Sequence, residues 1–174
     1  MAYQKLQVSS ALNVIPGFVK IPDPNTVVVL DTATNQTLGT GNFGALNTLT
    51  TVGTKFTEAG ILPGAIIYNT TSLLAYYVVS VDSDTQLTLS FGSAGGAADK
   101  YSIYTQATKG CILYIGKAGN VSVQMAEMNG NYTAATAPLD YFITFNNIAQ
   151  GSFMPTQVVL VGKNTTAADI IALW

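Results

Sequence analysis

Tyrosines aside, the titratable side chains of this 174-residue sequence are nine carboxylates, seven lysines and one thiol. Histidine is absent, which removes the commonest general base and metal ligand together with every Ser-His and Cys-His nucleophile pair. Asp82 and Asp84, with Thr85, come nearest to a cation loop. Calcium takes about six to eight oxygens, and this stretch has two carboxylates and no later bidentate glutamate. Asp-Ser-Asp therefore reads as a hairpin turn whose side chains bond their own backbone. Glycoside cleavage needs two acids flanking one bond. Glu58 falls in a helical turn and Glu127 in a loop, and nothing in the spacing brings any two acids together.

Cys111 opens an apolar run, so a buried, inert thiol is expected rather than a nucleophile. A single cysteine excludes an internal disulfide framework and a cysteine-cluster zinc site. Gly39-Thr-Gly41 and Gly95-Gly96 lack the lysine and helix of a phosphate loop. Asn35, Asn69, Asn120, Asn131 and Asn164 each begin a glycosylation pattern, which a Thr- and Asn-rich chain produces by chance. Tyr76, Tyr77, Tyr101 and Tyr104 have faces suited to sugar rings, but they read as cover for a β core. No residue is expected to be catalytic, to bind a cofactor or to ligate a metal. An enzyme is not expected.

The elements around these residues read as β throughout. Thr, Val, Ile and Tyr runs are interrupted at short intervals by Gly, Asn, Asp and Ser. Residues 1–25 differ: Pro16, Pro22 and Pro24 bar regular pairing, and Leu12, Val14, Ile15, Phe18, Val19 and Ile21 follow no clear period. This predicts an extended N-terminal arm that lies on something and orders on a partner, the alternative being a frayed terminus wrapped on its own domain. Residues 27–30 read as a short strand buried on both faces, and 31–54 as a long loop or weak edge hairpin. Residues 55–60 predict one helical turn stopped by Gly60. Strands follow over 65–68, 73–81 and 86–91, with Leu87, Leu89 and Phe91 on one face, and Tyr101, Ile103 and Thr105 alternate in a further one. A second module begins near Lys109. It comprises a strand over 111–115, a tight loop over 116–120, a hairpin partner carrying Val121, Val123 and Met125, and an irregular loop over 126–138. A strand over 141–145, a connection opening at Asn146-Asn147, a strand over 158–161 and a closing strand over 170–174 complete it, with Thr166 and Asp169 at capping spacing. The expected fold is small antiparallel barrel or sandwich modules over 26–108 and 109–174, following an arm over 1–25.

Two stretches carry a resemblance. Lys55-Phe-Thr-Glu-Ala-Gly-Ile-Leu-Pro-Gly-Ala-Ile-Ile-Tyr-Asn-Thr-Thr, with Val78-Val-Ser-Val-Asp-Ser-Asp-Thr-Gln-Leu-Thr-Leu-Ser, resembles a module of tailed-bacteriophage virion structural proteins. The acid usual after Pro-Gly is Ala65 here. Residues 116–123, Ile143-Thr-Phe-Asn-Asn-Ile-Ala-Gln-Gly-Ser-Phe-Met-Pro-Thr-Gln-Val and Asn164-Thr-Thr-Ala-Ala-Asp-Ile-Ile-Ala-Leu-Trp are similar to the C-terminal module of phage head-spike base and head-decoration proteins. Asn164 replaces the usual glycine and tolerates the same left-handed conformation. The resemblance implies a non-catalytic structural subunit of the virion and carries over no catalytic residue.

Composition agrees with that expectation on independent grounds. Charged residues make up 9% of the chain, against roughly 25% in an ordinary soluble domain. A surface covered by neighbours has less need of charge for solubility. With no arginine and a net charge of −2, a phosphate-tracking surface is not expected. The longest apolar run, 73–79, has seven residues, where a spanning helix needs about twenty. The polar start predicts no signal peptide. The expected role is capsid decoration, cement or head-spike base, assembled in the host bacterial cytoplasm as a homo-oligomer, trimer or higher, against the major capsid protein or neighbouring virion proteins. Neither nucleic acid nor a membrane is an expected partner. A neck, tail or baseplate subunit and a glycan-binding attachment module are the alternatives.

Overall fold

Asparagine, aspartate and glycine clusters close the hairpins that the Thr-, Val- and Tyr-rich runs invite, and the molecule is all-β. The computed structural model describes residues 8–44, 46–92, 96–126 and 142–174. Within these the strands are β1 (Ala11–Asn13), β2 (Gly39–Gly44), β3 (Thr48–Thr51), β4 (Ile66–Asn69), β5 (Leu74–Ser83), β6 (Gln86–Leu89) and β7 (Asp99–Tyr104). Then come β8 (Cys111–Lys117), β9 (Gly119–Met125), β10 (Ile143–Ile148), β11 (Phe153–Val161) and β12 (Ala168–Leu173). A single 3-10 turn, Pro24–Thr26, is N-capped by Asp23.

Strands β2 to β7 form a closed antiparallel barrel in the order β2-β3-β6-β5-β4-β7, with β7 pairing back onto β2 at Gly39–Tyr101 and Gly41–Asp99. Part of the stretch read as loop or edge hairpin, 31–54, is thus the β2–β3 hairpin, and closure leaves it no free edge. Its apolar residues are too sparse to announce this, but Phe43 and Leu49 alternate inward. Phe43, Tyr76 and Tyr101 fill the centre, with Phe43 stacked on Tyr76 at 5.6 Å and edge-on to Tyr101 at 5.9 Å. The helical turn over 55–60 is present: Ala59 N–H bonds Lys55 C=O at 2.9 Å, and Gly60 ends it at φ +71.

Residues 27–30 are not a strand. Val27 makes one bridge to Tyr104, and Val28 N–H bonds Ile103 C=O at 2.8 Å. Val28 and Leu30 are nonetheless buried in the barrel core.

The second sheet runs β1-β12-β8-β11-β9-β10, all antiparallel. The expected hairpin over 111–125 is absent, because β11 lies between β8 and β9 and pairs with both. Residues 111–125 instead form one extended ribbon interrupted only at Ala118. Gly116 and Gly119 are sites of close approach: a Cβ at Gly116 would lie 2.6 Å from Asp169 C=O, and one at Gly119 would strike the Ala167 backbone. These glycines let the chain entering β12 pass closely rather than making a turn. Asn146 and Asn147 lie inside β10, where the register shifts and Asn147 takes φ +56, so they form a bulge rather than opening the connection. Thr166 and Asp169 cap no helix; Thr166 Oγ1 accepts from Asn120 N–H at 2.9 Å. The closing strand is built into the sheet between β1 and β8. Most of the 126–138 loop and Tyr141 lie outside the described residues.

The arm is extended, and from Val8 onward it lies on its own chain rather than awaiting a partner. β1 pairs with β12, Gly17 bridges Gly162 in parallel, Asp23 N–H bonds Gln106 C=O, and Thr108 N–H bonds Ile21 C=O. Ile15 and Val19 cover the outer face of the barrel at Ile66, Tyr68, Ala75 and Tyr104. Ile21 enters the core of the second sheet beside Cys111 and Leu113. That double cover is why β4 is buried at every position. Fully burying one such aliphatic side chain contributes roughly 1.5–3 kcal/mol.

Candidate contact surface

Most of the side chains singled out for chemistry serve structure instead. Asp82 accepts from Ser80 Oγ at 2.6 Å, Thr88 Oγ1 at 2.8 Å and Gln86 Nε2 at 3.3 Å. Those bonds, Ser80's first, hold its carboxyl below the usual range and tie the β5–β6 hairpin. Asp84 meets the barrel through its backbone, accepting from Phe56 N–H. No group of three or more His, Cys, Asp or Glu among the described residues could hold a metal ion. Glu58 forms an exposed pair with Lys55 at 2.6 Å, and Glu127 lies outside the described residues. Burial pushes the Cys111 thiol up to about 12, and its Sγ donates to Val158 C=O at 3.2 Å.

Gly39 and Gly41 serve packing: a Cβ at Gly39 would collide with the Tyr101 ring, and one at Gly41 would lie 2.6 Å from Leu49 Cδ1. Tyr76 and Tyr101 are wholly buried, Tyr104 lies beneath the arm, and Tyr77 Oη accepts from Lys20 N–H at 2.9 Å. These four tyrosines are therefore core and latch groups rather than a sugar platform. Asn69 is buried, and Asn131 lies outside the described residues.

Several large apolar side chains nonetheless remain outside. Leu46, Val52, Leu62 and Leu73 are each at least two-thirds exposed, and Val79 is half-exposed. Leu73 stands at the rim of a cleft of about 460 Å³ where arm, barrel and β12 meet. Leu12, Ile15, Tyr68, Tyr104 and Ile171 give it apolar walls, and among the described residues no charged side chain lines it.

Leu73 is held at φ +55, a left-handed conformation that costs a non-glycine residue roughly 1–2 kcal/mol. The turn before it is over-determined. Asn69 Oδ1 accepts from Thr71 N–H at 3.0 Å and Ser72 N–H at 2.9 Å. Thr70 N–H reaches Lys100 C=O at 2.8 Å, and Lys100 N–H returns to Thr71 Oγ1 at 2.9 Å. Asn69 Nδ2 in turn donates to Asp99 Oδ2 at 2.8 Å, and Gly96 N–H donates to the same oxygen at 3.0 Å. Asn69 first, then the Gly96 amide, hold the Asp99 carboxyl below its ordinary range.

Sequence reasoning found the Asn-Thr-Thr-Ser turn but not the cleft. The cleft's walls come from residues 11–15, 68–73, 104 and 171, and no local pattern reports their meeting. Comparison with protein-family models, with curated proteins and with solved structures finds no match.

Proposed function

We propose that this chain is a non-enzymatic structural subunit of a tailed-phage virion, a capsid decoration, cement or head-spike base protein. In this reading it assembles through apolar contacts with copies of itself and with the major capsid protein or a neighbouring virion protein. The observation that carries it is the exposed surface: Leu46, Val52, Leu62 and Leu73 stand out on a chain whose charged residues amount to 9%. Large exposed apolar groups on a charge-poor surface suit a protein that neighbours cover. The resemblance of residues 55–71, 78–90, 116–123, 143–158 and 164–174 to virion modules supports the same reading. Those segments supply the barrel's helical turn, β4 and β6, and most of the second sheet.

Quantitative mass spectrometry of purified particles, paired with cryo-EM localisation, tests the proposal. Hundreds of copies per particle on the head are the expected result. A dozen or fewer at the neck, a vertex or the tail moves the subunit there, and absence from the particle overturns the proposal.

A further inference from the structure

A second depression lies on the opposite kind of ground, polar and aromatic. The geometry points to a binding site for an acidic sugar, a hexose-sized ring bearing one carboxylate, in the pocket between Phe18, Phe142 and Lys163. The pocket holds about 140 Å³, and three distant segments build it: the arm, the β9–β10 pair and the connection following β11. Lys163 Nζ sits 4.8 Å above the centre of the Phe18 ring. A cation–π contact fixes an ammonium without neutralising it. The two ion pairs among the described residues, Lys55–Glu58 and Lys117–Asp169, leave Lys163 out. Beside it the Asn164 side chain lines the pocket with no hydrogen bond to a described residue. The exposed Lys163 ammonium and Asn164 amide both line the pocket with no acceptor for either among the described residues, and such a pair fits a carboxylate, whose bond to a cation is the stronger, charge-assisted kind.

The rest of the lining suits a ring with hydroxyls. Thr144 Oγ1 donates to Ser122 Oγ at 3.3 Å, which leaves the Thr144 oxygen free to accept a ligand hydroxyl. Phe142 supplies an apolar wall, seated closely because Gly162 has no side chain: a Cβ there would lie 2.7 Å from the ring. A pocket with an apolar body and a few convergent polar groups is the usual form of a small-ligand site. One lysine is too little for a phosphate backbone, which calls for several cations in a row.

This inference is independent of the virion reading and is tested on the isolated full-length chain. Saturation-transfer NMR and titration would use glucuronate, with methyl glucoside and acetate as controls. Saturable glucuronate binding in the millimolar range is expected, on the order of tenfold tighter than either control. Lys163→Met should weaken glucuronate by on the order of tenfold, the loss of one charge-assisted contact. Asn164→Ala should weaken it several-fold, and Lys163→Arg should retain most of the binding, all three at unchanged melting temperature. Absence of saturable glucuronate binding, acetate binding as tight as glucuronate, or affinity untouched by Lys163→Met would each overturn the assignment.

Discussion

Asp99 illustrates what a carboxylate does in this chain: it holds a backbone. It is buried beside Asn69, and through Asn69 it fixes the turn that presents Leu73. Its hydrogen bonds favour the ionised form, so its pKa is lower folded than unfolded. The stability it contributes is therefore present at neutral pH and is lost as pH falls through the folded value. Asp99→Ala leaves the Asn69 amide buried without its partner, which costs about 1–3 kcal/mol. Urea denaturation should show that deficit at neutral pH and a narrowing gap between the two proteins on acidification below about pH 4. A gap that stayed constant into strong acid would mean the carboxylate's charge is irrelevant to the turn. Leu73 invites the complementary substitution. Leu73→Asn relieves left-handed strain and should raise stability by about 1 kcal/mol, while removing an apolar group from the cleft rim. Higher stability together with weaker self-association, read by melting and light scattering, separates a strained contact residue from an ordinary turn residue.

The arm is the element whose role the structure changes most. Its prolines and irregular apolar residues were legible as a segment that must lie on something. Which surface that is, a partner or its own chain, was not, because Ile15 and Val19 face the barrel while Ile21 faces the second sheet. A segment that alternates between two cores shows no period of its own. The hairpins 65–91 were readable for the opposite reason: each has local turn residues and a one-sided apolar alternation. The β8–β9 ribbon misled because glycines placed for close chain crossing look, in sequence, like glycines placed for a turn. Removing residues 2–22 should therefore destabilise the remainder rather than leave it folded intact, since it uncovers Ile66, Tyr68, Ala75 and Tyr104 and opens the second core. Ile21→Ala alone should cost about 2–5 kcal/mol. Calorimetry of the full chain and the truncation decides: an unchanged melt after truncation would mean the arm's contacts contribute nothing to the fold.

At the scale of the whole molecule, the same scarcity of charge sets how copies can associate. The described residues hold two ion pairs, both exposed, and exposed pairs contribute only about 0–1 kcal/mol each. Among the described residues, β1 and β10 are the edge strands of the second sheet. β1 is three residues long and β10 carries the Asn146–Asn147 bulge, features that discourage edge-to-edge pairing. Association through faces is then favoured, by Leu46, Val52, Leu62, Leu73 and the neutral cleft. Burial of such surface yields roughly 25 cal/mol per Å², less the cost of bringing subunits together. A self-contact of this kind ordinarily closes into a symmetric ring or dimer. Screening by salt removes little from it, because the Debye length acts on charges that are scarcely there. The purified chain should therefore scatter light as a homo-oligomer of the same mass in dilute buffer and in about 1 M salt. A monomer at both concentrations, or an oligomer that falls apart as salt rises, would assign its association to charges or to a different partner altogether.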